Sequence, residues 1–369
     1  MKIVFICGCL EPGKDGVGDY TRRLSAELID HGVEVSILAY NDKFVDSKTD
    51  ELQKFQAINI SCLRLPKILD IKVKTNIAKK WIDSINPDFI SLQFVLYAFN
   101  NKGLPISLGN QFKKIGGDRK WHIMFHELWL GLGADETLKD NVIGFLQKYL
   151  VKALVKKLNV KVVNTHTQLY MQELKTIKVY SVFLPIFSNI PFVSQIETKR
   201  DKEYNNIKLV MFGSVRPGAP KTDLAKELKQ FSINNLKRKI SLTLVGKSGE
   251  EQLNWADEFK KQGINVKLLG ELKGREVSLV LQNSSFGITT VPSFLLEKSG
   301  TVAAMLEHKL PVLIVAKKWK PKNNFDLKLQ DGLMEYEIGN VNNFIKLKVD
   351  NKNIKGAKSV AEKFLSYLK

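Results

Sequence analysis

The chain has 369 residues, three cysteines, and 57 Lys and Arg against 38 Asp and Glu, for a formal net charge of +19. That length exceeds one ordinary hydrophobic core, so two domains are expected; three cysteines exclude a disulfide framework, and no apolar run reaches the roughly eighteen residues of a spanning helix. The charge leaves nucleic acid, anionic membrane and phosphorylated small molecules as partner classes, and the lack of an arginine-rich tail, zinc knuckle or RNA-binding aromatic signature sets nucleic acid aside.

Residues Lys2–Cys7, KIVFIC, read as a buried strand. Lys2 leads straight into it, with no signal-peptide apolar region, so the expected location is the cytoplasm. The loop GCLEPGKDGVGDY follows, with Gly8, Gly13, Gly16 and Gly18, and then a helix over 19–31 stopped by Gly32. A strand over 33–39 completes a β-loop-α-β unit, so the chain opens as a parallel sheet. These glycines do not spell the dinucleotide fingerprint G-x-G-x-x-G, which argues against a Rossmann oxidoreductase. Gly16 and Gly18, read as lying directly before the helix, would let backbone approach a ligand closely; the alternative is a flexible turn. Cys7 and Cys9 have no His or Cys cluster beside them, so they read as buried thiols and no metal site is expected.

Further strands are expected over 58–65, 88–93, 121–126 and 160–165, with helices over 73–85, 104–115 and 137–158. Their apolar runs suit a sheet covered on both faces. His126 ends one of these strands, where open α/β sheets place their ligands; packing is the competing reading. The segment 144–158, GFLQKYLVKALVKKL, is a basic amphipathic helix pattern. It could lie on an anionic membrane, but packing on its own sheet is the favoured reading.

Between 184 and 206 the pattern dissolves into two prolines and a charged run, which marks the domain boundary. The β/α alternation then restarts. Strands are expected over 208–212, 241–245, 266–269, 286–290 and 311–315, and helices over 224–230, 252–262, 275–282 and 301–308. This is a second doubly wound sheet, and a cleft between two such domains is the default site. Within 208–223, KLVMFGSVRPGAPKTD, a strand breaks at Gly213 into a loop with Arg216 and Lys221, followed by a helix capped by Thr222 or Asp223. Helix dipole, backbone N–H groups and a guanidinium would together hold an anion; solvated surface cations are the bland alternative. Before the strand at 311–315, a loop carries Glu297, Lys298, Ser299 and Gly300 and a helix starts near Thr301. This is either a second anion-facing helix start or a plain capped helix. A final helix over Ala357–Leu368 is expected to pack back on the first domain.

These stretches, with the strand-end FHELW, the segment GELKGREVSLVLQNSSFGITTVPS and the segment EKSGTVAAMLEHKLPVLIV, resemble the GT-B fold and the retaining glycosyltransferases often called group 1 (family 4-like). The resemblance covers almost the whole chain. It implies two Rossmann-like doubly wound domains facing a central cleft. Residues 1–188, with 357–369 packed back, would take the acceptor; 189–206 would be a linker, and 207–356 would bind the nucleotide-sugar. It implies that Arg216 and Lys221 bind the donor diphosphate and stabilise the leaving group. Gly16 and Gly18 would lie near the diphosphate and the transferred sugar, and His126 would contact that sugar. Gly213, Glu297, Lys298, Ser299, Gly300 and Thr301 would complete the donor site. No D-x-D metal clamp is evident, so the cations would replace a metal, and the departing phosphate would take the acceptor's proton in front-face attack.

One motif departs. The family's E-x7-E would place its second carboxylate near Ala304, where the chain has none. Glu297 stands one residue from the first position, Glu307 lies one helical turn beyond Ala304, and Lys298-Ser299-Gly300 would supply contacts instead. The implied function is transfer of a sugar from a nucleoside-diphosphate donor, the only small molecule implied, to a glycan or lipid-linked acceptor. Synthesis of cell-surface polysaccharide or glycolipid is the implied setting, and the positive charge permits peripheral contact with an anionic membrane. The alternatives are another GT-B enzyme, a sugar-nucleotide epimerase or phosphorylase, and a non-catalytic member binding a glycan or a partner.

Overall fold

The structure is a computed structural model that describes residues 1–193, 206–235, 238–247, 249–323, 325–350 and 356–369. Of the expected linker 189–206, residues 194–205 lie outside the described residues. The chain divides into two compact units. One holds Met1–Pro185, Pro321–Phe325 and Ala357–Lys369; the other holds Ile186–Lys320 and Asp326–Gly356.

The first unit contains β1 (Lys2–Cys7), α1 (Gly16–Asp30), β2 (Glu34–Asp42), β3 (Thr49–Phe55), β4 (Ile58–Pro66), α2 (Ile71–Ile85), β5 (Phe89–Phe94), α3 (Leu96–Phe99), α4 (Leu108–Gly116), β6 (Lys120–Phe125), α5 (Leu138–Lys157), β7 (Val162–Thr165), α6 (Gln168–Thr176) and β8 (Val182–Phe183). Its eight-stranded sheet runs β3-β4-β2-β1-β5-β6-β7-β8. Every pairing is parallel except the edge strand β3, which is antiparallel to β4. β1 and β5 are buried almost throughout, as two-sided cover by helices requires. The order reverses between β1 and β5, and there the loop after β1 touches α3: a Cβ on Gly8 would stand 2.7 Å from Ala98 Cβ.

The second unit contains β9 (Asn206–Phe212), α7 (Lys221–Asn234), β10 (Lys239–Val245), α8 (Glu250–Lys261), β11 (Asn265–Gly270), α9 (Gly274–Gln282), β12 (Phe286–Thr289), a 3-10 turn (Ser293–Lys298), α10 (Gly300–Glu307), β13 (Val312–Ile314), β14 (Leu333–Glu335) and α11 (Val341–Phe344). Its sheet runs β11-β10-β9-β12-β13-β14, and all its pairings are parallel. That is the doubly wound order, with the switch point between β9 and β12. One apolar cluster fills one face of this sheet around Trp255 and Phe259; a second, around Met305 and Val312, fills the other.

The last helix, α12 (Ala357–Leu368), belongs to the first unit. Its Phe364 stacks on Phe5 of β1 with ring centres 5.8 Å apart and meets His122 edge-on at 5.0 Å.

Of the helix starts that differ from the sequence reading, two bear on the candidate site residues. α1 begins at Gly16, because Asp15 caps it by accepting from the Gly18 amide at 2.7 Å. Gly16 and Gly18 therefore form the first helical turn instead of preceding it. α7 begins at Lys221, directly after Pro220, so Thr222 and Asp223 lie inside the first turn and neither is the cap. Asp223 there complements the helix dipole. The basic helix α5 buries Gly144, Gln147, Val151 and Leu154. Its opposite face leaves Leu138, Val142, Phe145 and Tyr149 largely exposed, so packing accounts for only one side of the helix.

Candidate active site

In the second unit the loops after β9, β10, β12 and β13 rise from the carboxyl ends of the sheet. Gly213 follows β9 with φ +94°, and a Cβ there would stand 2.6 Å from Thr301 Cγ2. The β9 loop and the first turn of α10 therefore touch through a missing side chain. Gly246, after β10 with φ +123°, packs on the same loop: a Cβ on it would lie 3.2 Å from Gly213 Cα. Across the switch point, the Arg216 amide donates to Thr290 Oγ1 at 2.8 Å, which ties the β9 loop to the end of β12. The Arg216 side chain is exposed. Ser299 caps α10 by accepting from the Val302 amide and lies 3.0 Å from Thr301 Oγ1. Gly300 has open space where its Cβ would be.

Gly213, Ser299, Gly300 and Thr301 are thus brought together, with Arg216 on the neighbouring loop. Glu297 and Lys298 lie on the 3-10 turn leading into α10 and are partly buried. Lys221 stands apart in its chemistry: its ammonium donates to Glu251 Oε1 at 2.7 Å, an ion pair with both groups partly buried. Ala304 is fully buried in the core under α10, so a carboxylate at that position would meet apolar side chains. Glu307 accepts from the Ser188 amide at 2.6 Å. The sequence reading missed Lys317, whose stem lies against Gly218; a Cβ on Gly218, at φ +81°, would stand 3.1 Å from Lys317 Cδ. Lys317 follows β13 at the same end of the sheet, and a cation two residues past a predicted strand was the available signal. Glu251 was also missed, because the Lys221 pair spans thirty residues.

In the first unit His126 follows β6 and is buried. Its Nε2 lies 2.9 Å from Gln93 Oε1 and its Nδ1 lies 3.1 Å from His166 Nε2. His166 Nδ1 in turn lies 2.9 Å from the Leu184 carbonyl. In the other direction Gln93 Nε2 meets Ser91 Oγ at 2.8 Å, Ser91 Oγ meets His122 Nδ1 at 2.7 Å, and His122 Nε2 meets Asn164 Oδ1 at 2.9 Å. A continuous polar chain therefore runs through the core beneath the carboxyl ends of β5, β6 and β7. Burial pushes His122 and His166 down to about 4 and His126 well below the usual imidazole range, so all three rings are neutral near pH 7. Both ends of the chain are pinned to carbonyl oxygens, and Asn164 Nδ2 is committed to the Val182 carbonyl at 2.8 Å. With every ring neutral the chain is one proton short, and two acceptors face each other at one link. Tyr20 of α1 packs edge-on against both His126 and His166, with centroids 4.9 and 5.1 Å away. The first turns of α1, with Gly18, and His126 are thereby brought together. A Cβ on Gly18 would stand 2.6 Å from the Cys9 carbonyl, whereas Gly16 faces open space.

Among the described residues no group of three or more His, Cys, Asp or Glu is placed to hold a metal ion, and no helix is long and apolar enough to cross a membrane.

No protein-family model matches the chain, and no curated protein matches it in sequence. Solved structures do. A glycosyltransferase from Rickettsia africae is 13% identical, with a TM-score of 0.54, covering 100% of this chain and 88% of its own. The UDP-GlcNAc 2-epimerase of Methanocaldococcus jannaschii is 9% identical, with a TM-score of 0.52, covering 100% and 99%. MnaA of S. aureus, solved with UDP, is 12% identical, with a TM-score of 0.52, covering 100% and 96%. The two α/β sheets are those of the GT-B fold, which glycosyltransferases and UDP-GlcNAc 2-epimerases share.

Proposed function

We propose that the chain is a glycosyltransferase that moves a sugar from a nucleoside-diphosphate donor to an acceptor hydroxyl. The observation that carries this reading is the switch point of the second sheet. There Gly213 lets the β9 loop meet the start of α10, and an exposed Arg216 stands on the same loop, pinned by Thr290. Free N–H groups at the start of α10 and the guanidinium suit a diphosphate, whose charge rises as the glycosidic bond breaks. Arg216 is the principal electrostatic group, and Lys317 is the second cation. Lys221 acts through its pair with Glu251, holding the start of α7. His126, with Nε2 on Gln93 and Nδ1 on His166, has no free ring nitrogen for a sugar and acts as a positioning residue beneath the carboxyl ends of β5, β6 and β7.

A thermal-shift screen against UDP, GDP, ADP, CMP and dTDP, with and without Arg216→Ala, tests the donor site, since bound ligand raises Tm by mass action. One nucleotide that shifts the wild type and not the variant supports it. Slow release of nucleoside diphosphate from the matching sugar donor without acceptor then favours a transferase. Interconversion of the donor sugar's stereochemistry favours the epimerase reading, which the likeness to the Methanocaldococcus jannaschii enzyme supports. No shift with any nucleotide rejects both.

The proposal extends to an acceptor at an anionic membrane surface. The exposed row Leu138, Val142, Phe145 and Tyr149 on α5 supports this reading, because exposed lysines at 139, 152, 156 and 157 accompany it. An apolar stripe flanked by cations suits the boundary between headgroups and acyl chains.

A further inference from the structure

The first unit carries a cavity of about 450 Å³ between α2 and α4, open at the carboxyl ends of β2 and β4. Tyr40 and Asn41 of β2, Lys67 just past β4, Lys74 of α2, and Ser107 and Gln111 at the start of α4 line it. Lys74 is only 3% exposed. Its ammonium donates to Asn41 Oδ1 at 3.1 Å and to the Lys67 carbonyl at 3.2 Å, both neutral acceptors. Its third proton has no protein acceptor among the described residues, and no carboxylate among them lies within ion-pair distance. The Tyr40 ring lies 5.4 Å from the nitrogen. Burial and the nearby Lys67 charge push this ammonium down to about 8.

A buried cation without a counter-ion is costly, and natural cores rarely keep one. This one lines an open cavity with a second lysine beside it, at the end of the sheet where α/β units take their ligands. Around the cations the lining is neutral and rich in hydrogen-bonding groups. Gln111 accepts from Tyr40 Oη at 2.9 Å and donates to Ser107 Oγ at 2.7 Å, and Asn41 is held by the Ala98 carbonyl at 2.8 Å. Fixed amides and hydroxyls of this kind suit sugar hydroxyls, and the cations suit one negative group on that sugar.

We infer that the cavity between α2 and α4 binds an anionic sugar, one bearing a carboxylate or a phosphate, whose charge is met by Lys74 and Lys67. That this sugar is the acceptor rests on the transferase reading; its binding does not.

Isothermal titration calorimetry on the full chain tests this with four probes: glucuronate, glucose 1-phosphate, glucose and inorganic phosphate. The titrations are run at pH 8 in two buffers of different ionisation enthalpy. One anionic sugar should bind at least tenfold more tightly than glucose and than inorganic phosphate, and which of the two does so identifies the charged group. Binding should take up a fraction of a proton, because an anion beside Lys74 restores its charge. Lys74→Met should abolish both binding and proton uptake. Lys67→Gln, at an exposed position, should weaken binding severalfold with Tm unchanged, and it serves as the test should Lys74→Met not fold. Equal binding of glucose and the anionic sugars, equal binding of inorganic phosphate, or full binding by Lys67→Gln would each overturn the inference. Nucleotide binding without anionic-sugar binding would sink the cavity's assignment alone. Anionic-sugar binding without any nucleotide shift would leave the cavity and reject the transferase.

Discussion

His126 Nδ1 and His166 Nε2 stand 3.1 Å apart in a buried contact, the last link but one of a polar chain that runs from Asn164 to the Leu184 carbonyl. Two opposing demands act on it. Burial disfavours a charged ring, while the missing proton favours one. Burial wins near neutral pH, since His122 and His166 are both held down at about 4. In the unfolded chain these rings titrate near 6.5. Between 6.5 and 4 the unfolded state therefore binds more protons, so stability is present above that window and is lost as pH falls through it. Each of the two rings contributes roughly 3 kcal/mol to the loss. Urea unfolding at pH 7, 6, 5 and 4 should show a steep fall, and His122→Asn should make it shallower. An unchanged slope in the variant would mean that the ring charges freely in the folded protein.

Arg216→Ala should lower turnover by about 10²-fold or more, the range for loss of one preorganised charge-stabilising group. Because the side chain is exposed, Tm should hold within a degree or so. Lys221→Ala should behave differently, because it leaves the partly buried Glu251 unpaired. Its expected signature is a loss of Tm together with activity. Turnover and melting measured on both variants separate the two roles; a falling Tm in Arg216→Ala would reassign that residue to structure.

The parallel core of both units was legible because its central strands are short, mostly apolar runs, such as KIVFIC and FISLQF in the first unit and the LVMF of β9 in the second. β3 was not legible. It is a polar edge strand, TDELQKF, with two acids side by side, and it joins β4 through Gln56, which adopts φ +53° without the Asn-Gly or Asp-Gly signal of such turns. The start of α1 was misplaced because two glycines in a row of three read as loop, whereas the Asp15 cap outweighs their cost. Arg216 and Gly213 were visible as residues next to a strand end. The Lys221–Glu251 pair and the cavity around Lys74 join distant elements, and no local pattern carries such a contact.

Three of the glycines singled out in the sequence should respond differently to alanine. Gly18→Ala would press a Cβ to 2.6 Å from the Cys9 carbonyl, a backbone atom that cannot swing aside. Gly213→Ala adds strain at φ +94° to a 2.6 Å contact with Thr301. Both should cost about 1–3 kcal/mol. Gly16→Ala meets open space in a first helical turn and should be neutral or stabilising by about 0.4–1 kcal/mol. Chemical denaturation of the three variants checks the order. Loss of donor binding in Gly16→Ala with stability intact would locate ligand at that turn, since packing offers no other reason for a glycine there.

The row on α5 separates surface from core in a measurable way. Val142, Phe145 and Tyr149 are each more than half exposed, so exchanging Phe145 and Tyr149 for serine removes little buried area and should leave Tm unchanged. Flotation with vesicles of mixed zwitterionic and anionic lipid should carry the wild type and release the double variant. Raising the salt should release the wild type in part, because lysine attraction is screened within a Debye length while apolar insertion is not. Vesicles of zwitterionic lipid alone should bind it weakly. Equal flotation of wild type and variant would move the contact to another surface. No flotation on anionic vesicles would leave the α5 row without the membrane partner that its flanking lysines argue for.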